Sequence, residues 1–130
     1  GRLSAAERET TVLLADDDPR AAEVLQNLTG SGTGLTGAVA TSVHEALVAA
    51  GALRPSLVLF DIFLGGTGGF AALRALASHR ATAGAIVIAT SRHLTGEVER
   101  AARGCGAADV LERPLRARAL GKILRELRGV

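Results

Sequence analysis

The sequence predicts a single α/β domain in which a parallel β-sheet carries helices on both faces. Short, nearly continuous apolar runs recur along the chain, and stretches with apolar residues at helical spacing separate them. Strands that are buried on both faces have this apolar character, and strands that alternate with helices through short connections form right-handed βαβ units. With 130 residues, of which 48% are hydrophobic, the chain is long enough for one such core.

Five apolar runs are predicted to be strands. Four of them are nearly continuous, whereas Gly37 interrupts the second, which is the weakest. In chain order the predicted strands are residues 11–15, 35–41, 56–60, 85–90 and 108–112.

Five stretches between and after these runs are predicted to be helices. Asp18 and Pro19 are a favoured N-cap and first helical residue. Ser42 and Glu45 have the spacing of a capping box, and Gly51 is a helix stop signal. The predicted helices are residues 19–28, 42–51, 69–80, 95–106 and 115–127.

The composition of the chain argues against several classes of function. Aromatic residues are 2% of the chain and no basic run reaches five residues, so we expect no direct nucleic-acid binding. No apolar run approaches the roughly 20 residues of a membrane span, so we expect no membrane association. Residues 1–10 are polar and contain no apolar core of a signal peptide, so we expect them to be an N-terminal extension of a cytoplasmic domain.

Polar residues stand where the predicted strands end. The carboxyl ends of parallel strands meet at one edge of the sheet, and ligands bind there. The residues expected at this edge are Asp16, Asp17 and Asp18 after the first strand, Asp61 after the third, Thr90 and Ser91 after the fourth, and Arg113 after the fifth.

Carboxylates, a hydroxyl and a cation in one place indicate phosphate chemistry with a metal. Mg²⁺ prefers carboxylates, retained waters and phosphate oxygens. We therefore predict metal-assisted phosphoryl transfer onto Asp61, with the metal bound by Asp17 and with Asp16 acting mainly through the metal's water shell. Asp18 is assigned to the helix cap.

Several of these segments, taken in order, resemble the receiver domain of two-component response regulators over residues 11–128. The matching segments are "LLADDDP", "LVLFD" with Gly69 eight residues beyond Asp61, the hydroxyl of the fourth strand, and "GAADVLERPL". The resemblance implies a flavodoxin-like sheet in the order 2-1-3-4-5, Asp61 as phosphoacceptor, and Mg²⁺ as cofactor. It also implies a histidine kinase or phosphotransfer protein as partner, with a homodimer through the fourth helix, fifth strand and fifth helix left open. The metal ligands implied are Asp16, Asp17, Asp61 and the backbone carbonyl of Phe63.

Three positions depart from the family's pattern. Arg113 stands where the family has lysine, and an arginine is longer and planar. Val110 stands where the family has an aromatic switch residue. Gly65 stands in place of a proline, so the glycine-rich loop at 65–69 is expected to be flexible.

Two residues compete for the hydroxyl position. The spacing back from Gly106 favours Ser91, whereas a small residue usually follows the hydroxyl, which favours Thr90 because Ser91 is followed by Arg92. Thr90 is the preferred candidate, with Ser91 kept as the alternative.

The main functional hypothesis is a signalling domain that catalyses its own phosphorylation and dephosphorylation at Asp61, without turnover of an external substrate. The alternative is a degenerate receiver that acts as a phosphorylation-independent interaction module, for which Arg113 and Val110 are the motivation. A metal-dependent phosphatase is disfavoured, because no second acid is positioned to act as a general acid.

Overall fold

Five parallel strands form the sheet of the computed structural model, which describes residues 9–66 and 69–129. The strands are β1 (Thr10–Ala15), β2 (Leu35–Ala40), β3 (Leu57–Asp61), β4 (Ile86–Ser91) and β5 (Asp109–Glu112). The helices are α1 (Pro19–Leu28), α2 (Val43–Leu53), α3 (Gly69–Ala77), α4 (Gly96–Gly104) and α5 (Ala117–Arg128), with a 3₁₀ turn at Arg80–Thr82. The order is β2-β1-β3-β4-β5, which confirms the predicted fold class and strand order. Most of the predicted extension at 1–10 lies outside the described residues.

The sheet is covered on both faces, which explains the continuous apolar runs. In β1, Leu13 and Ala15 belong to one buried cluster, which includes residues of α2, α3 and α4. Val12 and Leu14 belong to the other cluster, which includes residues of α1 and α5. Because the helices that follow β1 and β3 lie on opposite faces, the connections diverge between these two neighbouring strands. A crevice forms at such a switch point, beyond the carboxyl ends of the strands.

The predicted start of α1 is confirmed, and the predicted end of α2 is wrong. Asp18 caps α1 by accepting a hydrogen bond from the backbone N–H of Arg20, and Pro19 is the first helical residue. Helix α2 continues past Gly51 to Leu53, since glycine is tolerated at this exposed position. Arg54 then adopts a left-handed conformation with φ 46°, and Pro55, whose preceding residue cannot easily stay helical, prevents further extension.

The capping box of α2 forms with one altered partner. The hydroxyl of Ser42 accepts a hydrogen bond from the N–H of Glu45 at 3.1 Å, as predicted. The Glu45 carboxylate accepts instead from the N–H of Thr41, at 2.8 Å, and from its hydroxyl. The two side chains therefore still satisfy donors at the start of the helix.

Helix α3 is shorter than the predicted 69–80, because a second capping interaction follows it. The helix ends at Ala77. The Nδ1 atom of His79 accepts a hydrogen bond from the N–H of Ala81 at 3.0 Å and begins the 3₁₀ turn. The local side-chain bond thus competes with continuation of the helix.

Gly69 begins α3 in direct contact with the turn that follows β3. A Cβ atom at this position would lie 1.4 Å from the carbonyl oxygen of Ile62. We expect Gly69→Ala to lower the free energy of unfolding by about 3 kcal/mol, because backbone must move to admit the methyl group. Urea denaturation followed by circular dichroism measures the change.

Gly51 provides the matched control for that substitution. It lies inside α2, and no atom is within 4 Å of the position of an added Cβ. Gly51→Ala should therefore stabilise the domain by about 0.5–1 kcal/mol. Equal stability of Gly69→Ala and the unsubstituted protein would contradict the expected clash.

Candidate functional site

Three carboxylates meet at the carboxyl ends of β1 and β3. Asp16 and Asp17 follow β1, and Asp61 is the last residue of β3. Because β1 and β3 are paired with Ala15 beside Phe60, the next residues of the two chains come close together. Each aspartate offers an oxygen within 4.8 Å of the others. Asp16 and Asp61 are buried and Asp17 is exposed, so the cluster forms the wall of an open site.

Asp61 has one oxygen anchored and one oxygen directed at a cation. Its Oδ1 accepts a hydrogen bond from the N–H of Phe63 at 3.0 Å, and its Oδ2 lies 3.9 Å from Nη1 of Arg113. Burial raises the pKa of the Asp61 carboxyl, and the negative charges of Asp16 and Asp17 raise it further. The Phe63 hydrogen bond and the Arg113 charge act in the opposite direction without cancelling the rise.

The raised pKa of Asp61 predicts a pH-dependent stability difference. Since the native pKa exceeds the unfolded value of about 3.9, the protonated carboxyl is favoured in the fold. Its contribution to stability is fully present below pH ~3.9 and is lost as the pH rises through the native pKa. We therefore expect Asp61→Asn to be more stable than the unsubstituted protein at pH 7 without Mg²⁺, with the difference shrinking toward pH 3.5. Urea denaturation across this range tests the trend, and a variant less stable at pH 7 would oppose it.

Arg113 grips Asp16 with both ends of its guanidinium group. Nη1 donates to Oδ2 at 2.5 Å and Nη2 donates to Oδ1 at 3.2 Å. The side chains are 8% and 1% exposed, so water screens this pair little. Two parallel charge-assisted hydrogen bonds of this kind are among the strongest that proteins form.

Besides Asp16 and Asp61, the same guanidinium reaches two further groups of the site. Nη1 donates to the hydroxyl of Thr90 at 3.1 Å, and Nη2 lies 3.6 Å from Oδ2 of Asp18. Burial opposes the charged form of Arg113, but the hydrogen bonds and charge of Asp16 outweigh it and raise the pKa of the guanidinium. Arg113 is therefore the cation around which the acidic groups are arranged.

The structure brings Thr90, and not Ser91, into this cluster. The two residues are adjacent at the end of β4, where successive side chains point to opposite faces. The Thr90 hydroxyl accepts from Arg113, whereas the Ser91 hydroxyl donates to the carbonyl of His93 at 3.1 Å. A ligand bound between Asp61 and Arg113 would therefore meet Thr90.

The remaining candidate positions are the Phe63 carbonyl, Gly65 in the glycine-rich loop, and Val110 in β5. The carbonyl of Phe63 accepts a hydrogen bond from the N–H of Gly66 at 2.9 Å, which leaves it a second lone pair. Gly65 has φ 81°, a conformation that suits glycine. Residues 67–68 of the glycine-rich loop lie outside the described residues. Val110 is buried in the same core cluster as Ala102 of α4.

The donor set fits a hard divalent cation. Carboxylates and a carbonyl are the ligands that Mg²⁺ prefers, and they lie next to open solvent from which it can keep several waters. Asp16 is the exception, because Arg113 already occupies both of its oxygens. Sequence spacing could not reveal this pair, since 97 residues separate the partners.

Two arginines near the site were missed by sequence reasoning. A cavity of about 260 Å³ beside the cluster is lined by Asp18, Arg20, Arg92, Arg113 and Pro114. Arg92 directly follows β4, and Arg20 comes five residues after the end of β1. Their positions after strand ends could have indicated that they lie near the site. Three arginines thus line this cavity together with Asp18, and their positive charge would attract an incoming anion.

Comparison with known families and structures gives one consistent result. The sequence model of the response regulator receiver domain matches residues 12–125. The receiver domain of a DNA-binding response regulator from Colwellia psychrerythraea is 25% identical, with a TM-score of 0.79, over 94% of this chain and 100% of that one. A response regulator from Thermotoga maritima is 18% identical, with a TM-score of 0.79, over 94% and 99% of the two chains. The BeF₃-activated DrrB receiver domain is 17% identical, with a TM-score of 0.74, over 94% and 99%.

A comparison with curated protein sequences gave no match. Among the residues that the structure describes, no helix has the length and apolar character needed to cross a bilayer.

Proposed function

Because the chain belongs to the response regulator receiver domain family, we propose that it accepts a phosphoryl group on Asp61 in a cytoplasmic two-component signalling pathway. The donor is a histidine kinase or a phosphotransfer protein. The observation that carries the proposal is the carboxylate of Asp61, with one oxygen fixed by Phe63 and the other directed at the Arg113 cation beside Thr90.

In the proposed transfer, Oδ2 of ionised Asp61 attacks the phosphorus atom of a phosphohistidine. The new O–P bond forms as the P–N bond breaks, and the imidazole leaves with its electron pair. The Phe63 N–H holds Oδ1 and so orients Oδ2. Hydrolysis of the resulting aspartyl phosphate restores the carboxylate, so the domain would catalyse both steps on itself and turn over no external substrate.

The phosphoryl oxygens carry negative charge that the site must balance. Thr90 supplies a hydroxyl donor, and Arg113 supplies a guanidinium that can bind phosphate with two hydrogen bonds. When bound, Mg²⁺ supplies positive charge that neutralises these oxygens during transfer. The groups that would hold it are Asp16, Asp17, Asp61 and the Phe63 carbonyl.

The surface that responds to phosphorylation is proposed to be the α4-β5-α5 face, which would bind an output partner or a second copy of the chain. Thr90 lies beside Leu111 of β5, so a shift of the Thr90 hydroxyl toward the phosphoryl group would reach this face. Arg103 of α4 forms ion pairs with Glu99 of the same helix and with Asp109 of β5, so it joins two elements of this face. Val110 lacks the aromatic ring whose movement the family uses, so the backbone of β4 and β5 must carry the shift.

Beryllofluoride, which mimics a phosphoryl group on a carboxylate, tests the proposal directly. With Mg²⁺ present, we expect one equivalent to bind, giving a new ¹⁹F resonance and amide shifts around Asp61 and Thr90. Absence of both signals at saturating beryllofluoride and Mg²⁺ would refute the proposal.

A second candidate is a phosphorylation-independent interaction module. The bidentate Arg113–Asp16 pair favours it, because the acidic site already has an internal counter-charge. Undiminished binding of a physiological partner by Asp61→Ala, with no effect of beryllofluoride, would select this alternative.

A further inference from the structure

We propose that Arg113 competes with Mg²⁺ for Asp16, so that the domain binds Mg²⁺ weakly until a phosphoryl group draws the guanidinium away. This inference rests on the proposed phosphoacceptor function and concerns the regulation of the same site. Its basis is the contact pattern of Asp16, whose buried carboxylate has an internal cation at both oxygens.

The acceptor capacity of Asp16 is largely used. Oδ1 accepts from Nη2 of Arg113 at 3.2 Å and from the N–H of Asp18 at 2.8 Å, while Oδ2 accepts from Nη1 of Arg113 at 2.5 Å. A metal ion, or a water of its shell, must replace at least one of these donors to contact the carboxylate. It must also approach the positive guanidinium, which is 8% exposed and therefore poorly screened.

Arg113 has an alternative position within short reach. The Nη1 atom that binds Asp16 also contacts Thr90 at 3.1 Å and lies 3.9 Å from Oδ2 of Asp61. A phosphoryl group on Asp61 would place anionic oxygens in this region. The guanidinium could then leave the carboxylate of Asp16 and bind phosphoryl oxygens, which accept two parallel hydrogen bonds from arginine equally well.

This exchange couples two ligands. Drawing Arg113 toward the phosphoryl group frees Asp16 for the metal, and a metal on Asp16 frees Arg113 for the phosphoryl group. Linkage requires the effect to be reciprocal, so each ligand should raise the affinity for the other by the same factor. The coupling goes beyond the charge attraction of metal and phosphoryl group, because it depends on the arginine.

Arg113→Lys removes the bidentate hydrogen bonding to Asp16 while keeping the positive charge at this position. A lysine keeps the positive charge, but its ammonium is a single compact donor group that cannot clamp both carboxylate oxygens in a fork. We expect this variant to bind Mg²⁺ about tenfold more tightly than the unsubstituted protein, the order expected for one lost charge-assisted hydrogen bond. Isothermal titration calorimetry without any phosphoryl donor measures the two dissociation constants.

The matched control is Arg118→Lys, an exposed position on α5, which should leave Mg²⁺ affinity unchanged. Equal affinities of Arg113→Lys and the unsubstituted protein would overturn the competition while leaving the phosphoacceptor proposal standing. Failure of every folded variant to bind Mg²⁺ at tens of millimolar would overturn both.

A second measurement compares the coupling itself in the unsubstituted protein and in Arg113→Lys. In the unsubstituted protein, saturating beryllofluoride should tighten Mg²⁺ binding, and the tightening should be several-fold larger than in Arg113→Lys. An equal gain in both proteins would show that the arginine contributes nothing to the coupling.

Discussion

Asp61→Asn is expected to abolish phosphoryl uptake, with a loss of at least about a thousandfold in rate. The amide keeps the size of the side chain and can still accept the hydrogen bond from the N–H of Phe63. It lacks the anionic oxygen that attacks phosphorus, so the site stays formed while the chemistry is lost. Incubation with a small phosphoramidate donor and Mg²⁺, followed by intact mass measurement, reports the added phosphoryl group.

Asp18→Asn is the control for that experiment. Asp18 caps α1, and asparagine is an equally good N-cap, so the helix should be preserved. Asp18 lies 3.6 Å from Arg113 but contributes no oxygen to the three-carboxylate cluster. We expect uptake within about threefold of the unsubstituted rate. Uptake by Asp61→Asn at the normal rate would refute the phosphoacceptor assignment, and complete loss in Asp18→Asn would give this aspartate a place in the chemistry.

The sheet was predictable because burial leaves a local record in the sequence. Strands β1, β3 and β4 lie between two helical layers and are mostly buried, so their side chains form a visible apolar run. Helix ends were less predictable, because they depend on competition between neighbours. Gly51 is a stop signal in isolation, yet α2 passes through it and ends at Leu53, with Arg54 as its left-handed C-cap before Pro55.

The acidic side of the site was also predictable, because the carboxyl ends of parallel strands meet at one edge of the sheet for any conformation of the loops. Which of these side chains contact each other depends on the face of the sheet to which each one points and on the distances between them. The sequence does not specify either. Moving one position along a strand reverses the face, and this decides that Thr90 and not Ser91 contacts Arg113. The Arg113–Asp16 pair joins residues at opposite ends of the chain. The guanidinium of Arg113 lies closer to Asp16 than to Asp61, and no spacing in the sequence indicates this preference.

Arg113→Ala is expected to lower the free energy of unfolding by about 3–5 kcal/mol in the absence of Mg²⁺. The substitution leaves the carboxylate of Asp16, which is 1% exposed, without its cation and beside the charges of Asp17 and Asp61. Burial of an unpaired charge is among the few causes of so large an effect from one residue. Urea denaturation at pH 7 with a chelator present measures it. Arg118→Ala removes an exposed arginine from α5 and should change stability by no more than about 0.5 kcal/mol.

The origin of the loss can be isolated by removing the stranded charge as well. In the Arg113→Ala background, Asp16→Asn should restore stability, because the neutral amide can stay buried while it keeps the hydrogen bond from the N–H of Asp18. In the unsubstituted background the same change should destabilise, because it breaks the bidentate pair. Opposite signs in the two backgrounds are the expected signature of a charge pair, and a double-mutant cycle measures the coupling. Additive effects would mean that Arg113 stabilises the domain through packing of its side chain and not through Asp16. Mg²⁺ provides a further check, since a cation that binds the folded Arg113→Ala protein should recover part of the lost stability.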